Sequence, residues 1–381
     1  MRFPGLARLR TYPEQRSGRR LSIVTDSVNA GLLYGGVGTA ILFGTLLAKR
    51  IGADLRLIER HEAPDAGQFG SVLATHGIDF PHPIDCVFSS WGTGASVPTF
   101  DRDLFLTTSW WTTKATRMAV APQKIIYLLQ EDERMFYPRG DERLRCEEVL
   151  AAQDLQFVVN SEMLLRHFAE GNEPLPHVAR QGCWFNPAFP ADHYYDDPES
   201  RKRRTKKNFL FYARPNNLRN LYWRGLETIS AVIEEGILNP DDWSFIFIGR
   251  DLKPISLPGR VCPTMRENLP WSEYAALIRE IDVGLSLIDT PHPSYPPLDL
   301  AASGAVVVTN TCGLKQSLAG YSENIVCVDP TVDGLKYGIR QAVAIASNEP
   351  LCASNYARNA IMRDWSLAFE PALQRCAALV T

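Results

Sequence analysis

The sequence predicts an α/β protein of two Rossmann-like, doubly wound domains. Three observations carry that expectation. A strand, glycine turn, helix and strand follow one another from Leu21; the same alternation restarts at Phe209; a charged stretch unable to form a core lies between. With 381 residues, 45% hydrophobic and 22% charged, the chain has room for two domains of ordinary size.

In the first half, Leu21–Thr25 (LSIVT) reads as a strand that leads through Asp26–Tyr34 to GGVG at Gly35–Gly38. An apolar-periodic helix is expected over Thr39–Arg50 and a second strand over Leu55–Ile58. Further strands fit Cys86–Ser89, Leu104–Thr108, Ile125–Leu129 and Phe157–Asn160. Helices fit Trp110–Ala119, Glu142–Ala152 and Ser161–Glu170, the last with Ser161 as N-cap. This domain is placed at 1–190. Residues 191–208 contain RKRRTKK, with six of seven residues basic from Arg201 to Lys207, and read as an exposed linker.

The second domain is placed at 209–359. Strands are expected at Phe209–Ala213, Phe245–Ile248 and Val261–Met265, and helices at Tyr222–Glu235 and Ser272–Ile281. Val283–Ile288, a helix over Leu298–Ser303, a Gly304 stop and Ala305–Thr309 then form one strand–helix–strand unit. Ile325–Val328, a helix over Val332–Ser347 and a final helix around Ala353–Val380 complete the pattern. The last helix, 360–381, is able to pack back on the first domain.

Composition excludes several classes. A formal net charge of −3 gives no case for a nucleic-acid partner. Apolar stretches such as Thr39–Ala48 fall short of the roughly 20 residues that span a bilayer. The basic N-terminus (Arg2, Arg8, Arg10, Arg16, Arg19, Arg20) lacks the apolar segment of a secretory signal. Eight scattered cysteines contain no CxxC, so a reducing cytoplasm is the simplest setting. His61, His76, His82 and His167 have no metal-ligand spacing, and no residue is assigned to a metal. The acidic triplets Asp101–Asp103 and Glu131–Glu133 are read as chance clusters, and Trp110-Trp111 as core.

Four elements could form a site. The loop Asp289–Asn310 leaves the carboxyl end of a predicted parallel strand, where open α/β sheets bind ligands. Pro296 and Pro297 suit a helix entry, and the free N–H groups of the first turn are expected to hold an anion such as the diphosphate of an activated sugar. His292, Pro293, Ser294 and Tyr295 belong to this loop. Asp299, expected in the first helical turn, is either ordinary dipole chemistry or an acceptor for a nucleoside hydroxyl. Arg214 and Arg219 follow a strand end and could clamp a diphosphate, or lie on the surface as isolated cations. Gly249 permits close approach at another strand end, with Arg250 a phosphate ligand or a solvated charge. Gly35 and Gly36 open the first helix as a ligand contact or a tight turn. The GxGxxG spacing is incomplete, which argues against a dinucleotide cofactor.

GGVGTAILFGTLLAKR, YLLQEDERMFYPRGDE, FYARPNNLRN and PHPSYPPLDLAASGAVVVTN together resemble a GT-B glycosyltransferase, and more narrowly the WsaF-type rhamnosyltransferase group related to family 4. The resemblance implies a GT-B fold, two Rossmann-like domains facing a cleft, with an N-terminal acceptor site and a C-terminal donor site. Family-4 enzymes place an Arg and, five residues later, a Lys on the donor diphosphate; Arg214 and Arg219 match in spacing and charge. The same enzymes carry two glutamates eight positions apart, the second on the ribose. Asp299 matches the second and Pro291 the first, leaving His292 or the loop backbone to take the lost role. The resemblance also implies a dTDP-rhamnose donor, metal independence, retention of configuration and no further cofactor. The expected enzyme is a cytoplasmic hexosyltransferase that builds bacterial surface polysaccharide from a nucleotide sugar and a glycan acceptor. With a lipid-linked acceptor, the basic segments would help hold it peripherally at the inner face of the membrane. Alternatives are a nucleotide-sugar epimerase of the same architecture, or a non-catalytic nucleotide-sugar or glycan-binding module, motivated by Pro291.

Overall fold

The computed structural model of the protein describes residues 3–28, 35–63, 66–90 and 94–379. Arg2 of the basic leader, residues 29–34 ahead of GGVG, and Val380 lie outside them. The chain forms two compact units, Met1–Asn186 with Trp365–Thr381, and Pro187–Asp364.

The first unit is built on a seven-stranded sheet. Its spatial order is Asp85–Phe88, Ala53–Glu59, Arg19–Thr25, Asp103–Thr107, Ile125–Leu129, Gln156–Asn160, Cys183–Phe185, with every pair parallel. Parallel strands carry helices on both faces, which is why IIYLL is apolar throughout and fully buried. Phe105, Tyr127, Leu150 and Phe157 form part of the core. The first helix spans Gly36–Ile51, so most of GGVG is its opening turn rather than a loop before it. The expected single C-terminal helix is two, Glu349–Ala357 and Trp365–Ala377. The latter belongs to this unit, where Phe369 meets Phe43 and Phe185 at ring distances of 5.3 and 4.7 Å. A fully buried Phe contributes roughly 1.5–3 kcal/mol.

Both acidic triplets are engaged in folding. Asp103 pairs with buried Arg20 at 2.9 Å. Asp132 accepts from Arg134 at 2.7 and 2.8 Å and meets His167 Nε2 at 2.9 Å. Burial alone would raise the Asp132 carboxyl, but His167 and Arg134 overcome it and hold it at about 2. Glu133 has no such cation. It accepts the backbone N–H of Trp110 at 2.7 Å, and burial pushes its carboxyl up to about 8.

The second unit has six parallel strands in the order Thr264–Glu267, Trp243–Gly249, Lys207–Ala213, Val283–Ser286, Val306–Asn310, Ile325–Val328. Its first and fourth strands are neighbours, so the topological switch point falls between Lys207–Ala213 and Val283–Ser286. The stretch read as an exposed linker is packed into this unit. Tyr194 is buried, a short helix covers Pro198–Lys202, Arg201 pairs with Asp196, and Arg204 pairs with Asp282 at 2.9 Å. Gly249 ends its strand under a severe constraint. A Cβ there would lie 1.7 Å from the Ala213 carbonyl oxygen of the adjacent strand. The missing side chain is therefore required by the sheet itself, before any ligand.

Two consequences can be measured in the unliganded protein. Gly249→Ala should cost at least about 1–3 kcal/mol in urea unfolding, because backbone cannot yield as a side-chain tip does. Unchanged stability would contradict that packing requirement. For Glu133, the folded state keeps a proton that the unfolded chain releases near 4.5, so stability should fall as pH rises from about 4.5 to about 8. The slope from this group should reach at most about 1.4 kcal/mol per pH unit. Glu133→Gln should flatten the profile in that window, and an unaltered profile would refute the assignment.

Candidate functional site

Arg214 is the first residue after Lys207–Ala213, on the carboxyl side of the switch point. Two residues earlier, partly buried Tyr212 lies beside the Arg214 guanidinium. Burial pushes the Tyr212 phenol up, so it stays neutral beside that charge. The chain then makes a tight turn. Asn217 N–H donates to Arg214 O at 3.1 Å, and the Asn217 side chain accepts Arg219 N–H at 3.3 Å. A short 3-10 turn over Leu218–Asn220 ends at Leu221, held at φ 48°, before helix Tyr222–Glu234.

Two bonds tie this arginine loop to the loop that leaves Val283–Ser286. Buried Asn220 donates through Nδ2 to Leu287 O at 3.1 Å, and Asp289 N–H donates to Arg219 O at 2.7 Å. The second loop is braced from its other side. Asn310 accepts Ile288 N–H at 2.8 Å and donates to Ile288 O at 3.0 Å, while the buried Lys315 ammonium reaches the same oxygen at 3.3 Å.

Within that second loop, Thr290 Oγ1 accepts His292 N–H at 3.3 Å, and His292 Nδ1 accepts Ser294 N–H at 2.8 Å. The latter bond fixes the imidazole with its proton on Nε2. Ser294 sits at φ 67°, ψ 157°, a conformation costly for a residue with a Cβ and kept only where surroundings enforce it. Tyr295 stacks near His292, with ring centroids 6.2 Å apart.

The helix here runs Tyr295–Ala302 rather than Leu298–Ser303. Ser294 reverses the chain early, and the prolines occupy the second and third helical positions. This alters two expectations. Pro296 and Pro297 have no N–H, so the first turn offers fewer anion donors than an ordinary helix start. Asp299 moves to the second turn and is only 4% exposed. Its Oδ2 accepts the Tyr274 hydroxyl at 2.7 Å, while Oδ1 is buried without a partner. Burial drives the Asp299 carboxyl well above the usual range, against the smaller pull of Tyr274, and so favours its uncharged form.

The fold thus gathers Arg214, Arg219, the His292–Tyr295 loop and Asp299 at one end of one sheet. Gly249 and Arg250 end the strand on the far side of Lys207–Ala213, with Arg250 solvent-exposed. Gly35 and Gly36 belong to the other unit. Gln130 Nε2 donates to Gly36 O at 2.7 Å, and a Cβ on Gly36 would lie 2.8 Å from that nitrogen, whereas one on Gly35 would meet nothing. Sequence reasoning missed Tyr212, and also Tyr274 and Asn220, whose partners Asp299 and Leu287 are distant in the chain. It also missed Asp26, which follows the strand at the first unit's own switch point. Asp26 accepts the Trp111 indole N–H at 2.5 Å, and burial raises its carboxyl.

Known proteins resemble both units. Residues 20–160 match the model of the WsaF N-terminal domain, and residues 207–340 that of the WsaF C-terminal domain. The O-antigen biosynthesis protein RfbC of Myxococcus xanthus is 29% identical over 265 residues, 69% of this chain. The chain spans only 20% of that protein's length. Anabaena Alr3699/HepE, solved with UDP and glucose, superposes with a TM-score of 0.62 at 13% identity, over 94% of this chain and 100% of its own. Sucrose-phosphate synthase from Thermosynechococcus elongatus gives 0.61 at 13% identity, over 95% and 98%. WaaG, described as a glycosyltransferase of lipopolysaccharide biosynthesis, gives 0.58 at 13% identity, over 95% and 99%. These likenesses reproduce the GT-B architecture of two parallel-sheet domains, and with both WsaF domains matched in order the chain belongs to the WsaF-like GT-B glycosyltransferases.

Proposed function

We propose that the second unit holds a nucleoside-diphosphate sugar at its switch point, with Arg214 and Arg219 on the diphosphate. One observation carries this reading. Two guanidiniums leave a central strand where an α/β sheet binds ligands, and Asn220 and Asp289 fix their loop to the neighbouring one. Guanidiniums match phosphate oxygens bidentately and offset the charge that develops as the sugar leaves. They supply that charge without a metal. Ser294 and Tyr295 assist at the phosphates, and Asp299 meets a hydroxyl of the nucleoside sugar.

In the proposed step, the bond from the anomeric carbon to the diphosphate oxygen breaks and a bond to the acceptor oxygen forms. The acceptor proton passes to the departing diphosphate, with configuration retained. The donor is a dTDP-linked rhamnose and the acceptor a growing glycan held by the first unit. The printed role of the Myxococcus xanthus relative supports bacterial surface polysaccharide as the product. The setting is the cytoplasm, at the membrane's inner face when the acceptor is lipid-linked.

The test is transfer from a panel of nucleotide sugars to glycan acceptors. Arg214→Ala should slow turnover by about 10²–10³-fold, as the loss of one preorganised donor to a developing anion does. Undiminished turnover would refute the clamp. Sugar transfer with no change in the donor's own stereochemistry would also separate this reading from epimerisation.

A further inference from the structure

At the opposite end of the second unit's sheet, the basic run singled out in the sequence lines a cavity of about 930 Å³. The strand Lys207–Ala213 is seven residues long, so this cavity lies roughly 20 Å from the arginine pair. Its charges are unevenly matched. Asp196 and Asp282 are taken by Arg201 and Arg204, and Lys202 lies 3.6 Å from Glu199 and 3.9 Å from Glu349. Asp242 also lines the cavity. Lys206 and Lys207, however, rest on neutral groups alone. The Lys206 ammonium donates to Pro240 O at 2.7 Å; that of Lys207 donates to Ser347 Oγ at 3.0 Å and lies 5.7 Å from the Trp243 ring centroid. Among the described residues, neither has a carboxylate partner.

Arg204 adds a third, independent sign. Only Nη2 reaches Asp282; Nε and Nη1 are buried with no hydrogen-bond partner. Buried charged donors without acceptors are costly, and Nε and Nη1, which point to different sides of the guanidinium, are each left to be met by an anion. Trp243 and Val343 supply an apolar wall, and the volume suits a small ligand rather than a bare ion.

We propose that this cavity binds a phosphate-bearing ligand, with Lys206 and Lys207 as its charged contacts and the unmatched donors of Arg204 adding to its positive field. The phosphate belongs to a soluble phosphate ester or to an anionic lipid headgroup. Replacing Arg204 would leave Asp282 uncompensated in the fold, so the lysines are the residues to change. The Arg214→Ala chain, which weakens the carboxyl-end site, should bind inorganic phosphate saturably in a thermal-shift titration, with chloride at matched ionic strength inert. Lys206→Gln with Lys207→Gln in that background should weaken binding at least tenfold and leave the urea midpoint unchanged. Cosedimentation with phosphatidylglycerol and phosphatidylcholine vesicles distinguishes the sources. Lysine-dependent retention on phosphatidylglycerol alone identifies a headgroup, and saturable phosphate binding without retention identifies a soluble ester. No saturable binding in either assay, or binding indifferent to the two lysines, overturns the proposal.

Discussion

The buried side chain of Asn220 joins two loops that the chain delivers from different strands. Its bond to Leu287 O, with the bond from Asp289 N–H to Arg219 O, makes them one surface at the switch point of the sheet. Asn310 and Lys315 hold the far side of the second loop, so neither Arg219 nor His292 depends on its own loop alone for position. A misplacement of about 1 Å can cost a hundredfold in rate. That sensitivity explains why so much buried polar structure is committed to two short connections.

Electrostatics divide the site into parts with different tasks. Arg214 and Arg219 bring positive charge to the sheet end, and Tyr212 lies beside the first of them without contributing charge of its own. Asp299 would offset that charge if ionised, but burial favours its uncharged form. A neutral acid can donate to a sugar hydroxyl as well as accept from it. The arrangement therefore keeps the cationic field for an anionic ligand while leaving a directional group beside it. Pro296 and Pro297 shift the balance the same way, since a helix start short of N–H groups leaves the arginines as the main source of positive potential there.

Much of this was legible in the sequence. Apolar runs marked the parallel strands because both faces of such a sheet are covered, and the helix over Val332–Ser347 was legible from its periodicity to the residue. Arg214 could be placed because FLFYA stops abruptly before RP. What escaped was contact between residues far apart in the chain. Nothing local pairs Tyr274 with Asp299 or Asn220 with Leu287, and nothing local says that Gly249 must clear the Ala213 carbonyl. Arg204 of the RKRRTKK run looked solvated because its counterion is not adjacent; Asp282, which turns Arg204 inward, lies 78 residues further on. The start of the Tyr295–Ala302 helix was hidden by Ser294, whose positive φ is not a serine preference.

The central claim is that two arginines at one sheet end bind the diphosphate of an activated sugar. Thermal unfolding with nucleoside diphosphates, their sugars and the bare nucleosides tests it most directly. Ligand at 100 times its dissociation constant should add about 2.7 kcal/mol of stability. The account predicts that diphosphates stabilise the protein, bare nucleosides do not, and Arg214→Ala with Arg219→Ala abolishes the effect. Equal stabilisation of the wild-type protein and the double variant, or none by any diphosphate, would contradict it.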